Sequence, residues 1–130
     1  MLNPRFLKLS EVLLAHDVQI DRFGGMYGVR DEGLLESALA QPEATFSGEL
    51  LHSTIYEQAA AYLYHIAKNH PFVDGNKRTA FAAIDVFLRM NGYILKLTDA
   101  QSYDLVLQVV QGNLGKEDLA NYIKRAIEKT

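Results

Sequence analysis

Apolar residues recur at helical spacing in segment after segment of this chain, and this periodicity restricts the fold more than any other feature. Near residue 120 the apolar positions follow the i, i+3, i+4, i+7, i+8 pattern of one helix face: Leu119, Tyr122, Ile123, Ala126 and Ile127. Residues 80–88 are almost continuously apolar, which predicts the central, buried helix of the fold. The chain is therefore expected to form a compact all-α domain of about six helices.

Caps and glycines mark where the predicted helices start and stop. Ser10, Thr54 and Thr98 each precede a helical pattern as candidate N-terminal caps. Gly92 and Gly112 each follow one, as C-terminal glycines commonly do. These signals delimit the first, third, fourth and fifth predicted helices.

The segments between the helices are short. The glycine-rich residues 23–28 predict a tight loop, and a second helix is expected after Asp31 and before Pro42. Residues 42–52 are interpreted as a surface connection, and residues 93–97 as a short strand.

Composition narrows the class of protein. The chain has 130 residues, of which 48% are hydrophobic and 22% charged, as expected for one globular domain over residues 1–130. A net charge of −3 gives no global basic field for nucleic acid or an anionic membrane. The absence of cysteine excludes disulfides, thiolate zinc sites and cysteine nucleophiles. With no signal-peptide pattern and no membrane span, the sequence predicts a soluble cytoplasmic protein.

A dense group of polar residues lies directly before the apolar helix, in the stretch HPFVDGNKR, residues 70–78. Pro71 disfavours helix at His70, so the chain is expected to turn there and begin a new helix near residue 75. A helix N-terminus presents unpaired N–H groups and partial positive charge, which favour an anion. Lys77 and Arg78 are unfavourable beside that positive end unless an anion binds there, and a phosphate chain is such an anion.

These residue types suit the transfer of a phosphate-containing group. Asp74 is placed to hold a Mg²⁺ ion that bridges phosphates, and His70 to take a proton from an incoming hydroxyl. A purely structural interpretation stands beside this one, in which Asp74 caps the helix, Asn76 closes the turn, and Lys77 and Arg78 are solvated.

The same stretch resembles the signature of the Fic/Doc superfamily, His-x-Phe-x-Asp/Glu-Gly/Ala-Asn-x-Arg, and Lys77 resembles the death-on-curing (Doc) toxin branch. The stretches AHDVQIDRFGG and GVRDEGLLESALAQP are similar to the N-terminal half of that branch, so the resemblance covers nearly the whole chain. It implies a small helical bundle with a short flap or hairpin.

The resemblance implies a role for each residue of the motif. His70 resembles the general base, Asp74 the Mg²⁺-binding acid, and Phe72 the buried aromatic that anchors the loop. The remaining residues resemble the phosphate cradle: Gly75, Asn76, Lys77 and Arg78.

The residue at position 77 bears on the type of transfer. The adenylylating Fic branch usually has glycine there, and a lysine fills the space beside the loop. In the Doc branch this goes with transfer of the ATP γ-phosphate to a protein, associated with an elongation factor and growth arrest. Gly75 is the Fic-like choice, so adenylyl transfer stays open, as does a non-catalytic module that binds nucleotide or a partner. The intact His70 and Asp74 favour an enzyme.

The resemblance also bears on regulation. Self-inhibiting relatives carry Ser/Thr-x-x-x-Glu-Gly/Asn, and the nearest strings here end in Leu50 and Gln58. Inhibition is therefore expected in trans, from an antitoxin segment that docks on the domain.

Several residues outside the motif are weaker candidates for a functional role. His16 is interpreted as a satisfied core histidine, and His52 and His65 are not spaced as metal ligands. Lys68 is interpreted as a solvated helix end. Arg22, with the glycines after it, is either a flap for the target protein's backbone or an exposed turn.

Overall fold

The computed structural model describes residues 3–130, and over this range the chain folds into six α-helices around one hydrophobic core. The helices are α1 (Leu9–Phe23), α2 (Glu32–Ala40), α3 (Ile55–Asn69), α4 (Asn76–Met90), α5 (Asp99–Val110) and α6 (Lys116–Ala126). The predicted helical bundle is confirmed. Asp31, Thr54 and Thr98 cap α2, α3 and α5, each accepting a backbone N–H from the first turn.

Two short antiparallel strand pairs accompany the helices. β1 (Thr45–Phe46) and β2 (Glu49–Leu50) form a hairpin after a 3₁₀ turn (Gln41–Glu43), within the segment predicted to be a plain surface connection. β3 (Tyr93–Leu95) is the predicted strand, and it pairs with β4 (Ile127–Lys129).

Strand β4 corrects the prediction that Ile127 continues the last helix. α6 ends at Ala126, and Ile127 has an extended backbone with φ −98° and ψ 151°. It pairs with Leu95, so the end of the described chain satisfies an edge of β3. An apolar residue is compatible with either structure, so helical periodicity could not detect this change.

The N-terminal cap of α1 differs from the prediction as well. The helix begins at Leu9, with Lys8 as the cap residue, and Ser10 lies in the first turn. The Glu11 side chain accepts a 2.8 Å hydrogen bond from the Lys8 N–H, as the residue at the N3 position does in a capping box.

The most buried helix is α3. This corrects the prediction from the apolar run 80–88 that α4 is the central, buried helix. α3 packs against α2, α4, α5 and α6, and its residues 59–61 are three fully buried alanines. Small side chains let neighbouring helices approach from several directions. α4 buries one face and leaves Phe81 and Ala82 partly exposed.

The helices are short. α1, α3 and α4 have 15 residues each, whereas a bilayer span needs about 20 apolar residues. Within residues 3–130, no helix has the length and apolar character to cross a membrane.

Candidate functional site

Two loops meet at one end of the bundle. The glycine loop (residues 24–31) joins α1 to α2, and the motif loop (residues 70–75) joins α3 to α4. They are connected through their backbones, since the Val73 N–H donates to the Gly28 carbonyl at 3.0 Å. The Pro71 carbonyl accepts two further N–H groups from the glycine loop. The glycine loop therefore forms one wall of the motif loop rather than a free turn.

His70 ends α3 in a left-handed conformation, with φ 46° and ψ 55°. That conformation costs a non-glycine residue about 1–2 kcal/mol. The guanidinium of Arg30 offsets the cost with two charge-assisted hydrogen bonds, from Nε to the His70 carbonyl at 2.7 Å and from Nη2 to the Asn69 carbonyl at 2.9 Å. Sequence reasoning missed Arg30, because no local pattern links residue 30 to residue 70.

Asp74 lies beneath the glycine loop. Its Oδ2 accepts the Met26 N–H at 3.2 Å, and its Oδ1 accepts the Gly75 N–H at 2.9 Å. A Cβ atom on Gly25 would lie 2.6 Å from Oδ2, so the absence of a side chain there makes room for the carboxylate. Two backbone donors and one glycine thus fix the position of this exposed carboxylate.

His16 supports the motif loop from inside the protein. The side chain is 2% exposed, and its ring stacks on Phe72 with centroids 3.9 Å apart and planes 6° apart. Its Nε2–H donates to the Asp74 carbonyl at 2.7 Å. The interpretation of His16 as a satisfied core histidine is confirmed, and the contact also brings α1 into the site.

Asn76 closes the turn that holds Phe72. Its Oδ1 accepts the Phe72 N–H at 2.9 Å, and its Nδ2 donates to the Phe72 carbonyl at 3.0 Å. One Nδ2 hydrogen is used in this way, which leaves the second for a ligand. The amide is therefore primarily a part of the loop's framework.

Positive charge collects at the start of α4. Gly75 is the cap residue, no side chain caps the helix, and no acidic residue lies in its first turn. Neither Lys77 nor Arg78 pairs with a carboxylate in the part of the chain that the structure describes, residues 3–130. The guanidinium of Arg78 lies over the Phe23 ring at 4.3 Å. The arrangement suits an anion.

An open cleft of about 860 Å³ lies between α1, α4 and α5. Residues 74–78 line it, together with Phe23, Phe81 and Tyr103 among others. Among residues 3–130, those that line the cleft do not include His70. The structure therefore brings Asp74 and the four residues after it onto one cavity, and leaves His70 on the neighbouring exposed turn.

The carboxylate of Asp74 fits the proposed Mg²⁺ ion. Each oxygen accepts one N–H group and keeps lone pairs for another partner. Mg²⁺ is commonly held by one or two carboxylates, with substrate phosphates and water completing its shell. Within residues 3–130 no group of three His, Asp or Glu side chains is arranged around a metal position, so phosphate oxygens would have to supply further ligands.

Comparisons with known proteins agree with the geometry. Residues 6–88 match the family described as the Fic/DOC family. The protein named "Toxin Doc" of Mycolicibacterium smegmatis is 46% identical over 87 residues, which cover 67% of this chain and 65% of that relative. The chain thus spans just under two thirds of that relative's length. "Protein kinase doc" of Escherichia phage P1 is 31% identical over 121 residues, which cover 93% of this chain and 94% of the relative.

Proposed function

The chain belongs to the Fic/DOC family, and we propose that it is the toxin of a toxin–antitoxin system, a kinase that transfers the γ-phosphate of ATP to a hydroxyl group of a target protein. The names of the two relatives support this proposal, one being called a toxin and the other a protein kinase.

The observation that carries the proposal is the unneutralised positive end of α4 beside a fixed carboxylate. Lys77 and Arg78 share the cleft with Asp74, and the first turn of the helix holds no acid. Isolated cations are unfavourable at a helix N-terminus, so their presence there is explained by an anionic ligand. A triphosphate with Mg²⁺ supplies that charge and uses the carboxylate as well.

The proposed reaction is a displacement at the γ-phosphorus of ATP. The hydroxyl oxygen of the target forms a bond to the γ-phosphorus, the bond from that phosphorus to the β–γ bridging oxygen breaks, and ADP leaves. His70 takes the hydroxyl proton. Lys77 and Arg78 stabilise the charge on the transferring group, and Arg78 can bind it through two donors. Asp74 would hold Mg²⁺, which when bound neutralises charge on the phosphate oxygens.

Position 75 does not by itself favour adenylyl transfer. Gly75 has φ 75°, and a Cβ atom there would lie 3.1 Å from Cδ1 of Ile20. Backbone conformation and packing against α1 therefore account for this glycine. Lys77 is the residue with a direct steric and electrostatic effect on the phosphates, and on that ground we prefer γ-phosphate transfer to adenylyl transfer or to a non-catalytic module.

The proposal extends to partners and location. The acceptor would be a hydroxyl on a translation elongation factor, whose modification would arrest growth in the cytoplasm. An antitoxin segment would inhibit in trans. No role in direct nucleic-acid binding is proposed, since the chain carries a net charge of −3.

The test uses ATP labelled at the α- or the γ-phosphate, with Mg²⁺ and cell extract. His70→Ala removes the proposed base, and His52→Ala is a matched control for loss of a histidine outside the site. Label on a protein from γ-ATP alone, abolished by His70→Ala and by EDTA, is the expected result. Label from α-ATP would instead establish an adenylyltransferase. If neither labelled ATP gives a protein label that depends on His70, the alternative of a non-catalytic binding module is favoured.

A further inference from the structure

We propose that Arg30 is a positioning residue for His70, which sets the direction of the imidazole by fixing both backbone torsions of that residue. The proposal rests on the proposed function, in which His70 accepts the proton. Arg30 lies outside the motif, 40 residues before His70 along the chain.

Arg30 binds two consecutive backbone carbonyl groups, those of Asn69 and His70. The carbonyl of Asn69 belongs to the peptide plane before the His70 Cα atom, and the carbonyl of His70 to the plane after it. The relative orientation of these planes is defined by φ and ψ of His70 alone. One planar guanidinium that donates to both, at 2.9 and 2.7 Å, therefore fixes both torsions, and with them the direction of the Cα–Cβ bond.

Arg30 is itself held by the backbone. Its N–H donates to the Pro71 carbonyl at 2.7 Å, and the Asp31 N–H donates to the same oxygen at 3.1 Å. The Asp31 side chain caps α2 by accepting the Leu34 N–H at 2.9 Å. Residues 30 and 31 thus bind three consecutive carbonyls, from the end of the glycine loop that is tied to α2.

The chemistry of helix ends indicates why an arginine is needed here. A helix commonly ends with glycine in the left-handed conformation, because glycine adopts it without strain. A base cannot be a glycine, so a histidine at this position needs external support to hold the same turn. The Arg30 fork supplies that support and satisfies two carbonyls that α3 leaves without intrahelical partners.

The test separates positioning from binding. Arg30→Lys keeps the charge but replaces the planar fork by a single ammonium group, and Arg30→Gln removes the charge. For both we expect kcat for γ-phosphate transfer to fall about 10- to 100-fold, because small displacements of a reacting group have effects of this size. KM for ATP should stay within about 2-fold, since residues 74–78 are untouched. Arg125→Lys, at an exposed arginine on α6, is the matched control.

Two further measurements exclude a merely structural effect. Arg30→Ala should recover part of its kcat when free guanidinium is added at a concentration that leaves the control variant unaffected. The thermal midpoints of the Lys and Gln variants should remain within a few degrees of wild type. Unchanged kcat, or a rise in KM that accounts for the whole loss, would overturn the proposal.

An NMR measurement keeps the proposal testable if the protein proves to be no kinase. The backbone chemical shifts and couplings of residues 69–71 report the torsions of His70 directly. In Arg30→Gln they should move away from left-handed values, whereas Arg125→Lys should not change them. If the wild-type protein transferred no label, the proposed function would be wrong, but the role of Arg30 in holding His70 would be unaffected. If the chemical shifts and couplings of residues 69–71 in Arg30→Gln were the same as in wild type, the proposed role of Arg30 would be wrong, whatever the activity of the variant.

Discussion

The Nε2–H group of His16 donates a 2.7 Å hydrogen bond to the backbone carbonyl of Asp74. One buried side chain on α1 thereby holds the residue that is proposed to bind Mg²⁺. The same imidazole stacks on Phe72, so both halves of the motif loop rest on one ring. The position of the carboxylate is consequently tied to the hydrophobic core.

Replacing His16 tests how much this contact stabilises the fold. His16→Phe keeps a ring against Phe72 but leaves the Asp74 carbonyl without its donor, and should lower the free energy of unfolding by about 1–3 kcal/mol. His16→Ala also opens a cavity, and should cost about 2–4 kcal/mol. Urea denaturation followed by circular dichroism measures both. Leu14→Ala, on the same helix but 64% exposed, should change stability by less than about 0.5 kcal/mol. A His16→Phe variant as stable as wild type would contradict the argument.

Gly25 and Gly24 form a matched pair for testing Asp74. Both have positive φ, at 116° and 82°, but a Cβ on Gly25 would meet Oδ2 of Asp74 at 2.6 Å, whereas a Cβ on Gly24 would meet nothing within 4 Å. Gly25→Ala should therefore displace the carboxylate and raise the Mg²⁺ concentration needed for half-maximal transfer by about 10-fold. Gly24→Ala introduces backbone strain but no contact with Asp74, so it should leave the Mg²⁺ requirement unchanged. A Mg²⁺ titration of γ-phosphate transfer distinguishes the two, and equal Mg²⁺ requirements would count against Asp74 as the metal ligand.

Substitution of Gly75 should lower stability for two reasons, its positive φ and its close contact with α1. Gly75→Ala combines a φ of 75° with a Cβ placed 3.1 Å from Cδ1 of Ile20. We expect a loss of about 2–3 kcal/mol in unfolding free energy. Gly48→Ala, with φ 82° and open space around it, should lose only about 1 kcal/mol. Ile20→Val removes the clashing methyl group, so the double variant should recover part of the excess. Strictly additive effects in this double-mutant cycle would refute the proposed clash.

Local patterns were sufficient to predict much of the fold. The helices follow from apolar periodicity. Thr54 and Thr98 cap α3 and α5 as predicted, because each places a side-chain acceptor directly before the first turn. The motif was visible for the same reason, because its polar residues are contiguous in sequence. The helix start at Asn76 and the turn at His70 follow from Pro71 and Gly75.

Contacts between distant segments were not predictable in this way. Arg30 binds carbonyl groups 39 and 40 residues away, and His16 binds a carbonyl 58 residues away. Backbone carbonyls occur at every position, so neither sequence nor composition shows which of them a side chain will bind. The pairing of Ile127 with Leu95 is missed for the same reason, since it depends on an edge that only the folded chain creates.

The imidazole of His65 should make stability depend on pH. Its Nε2 lies 3.0 Å from the ammonium of Lys116, and burial, Lys116 and His52, in that order, lower the pKa of His65 to about 4. The imidazole is therefore a neutral acceptor in the folded protein, while the unfolded chain takes up its proton near the ordinary value of 6.5. Between these two values the unfolded state binds more protons, so stability must fall as the pH is lowered from 6.5 to about 4.

His65→Gln tests this expectation, since glutamine keeps an acceptor for Lys116 but does not titrate. The wild type should lose about 1–2 kcal/mol of unfolding free energy across that window through His65, a value reduced for the partial exposure of the ring. Urea denaturation at several pH values should show a flatter profile in the variant, with the remaining slope due to other groups such as His52, whose pKa burial also lowers. Lys116→Met should raise the NMR-measured pKa of His65 only part of the way to 6.5, because burial is the larger cause. Parallel stability profiles in wild type and His65→Gln would show that His65 is not the group responsible.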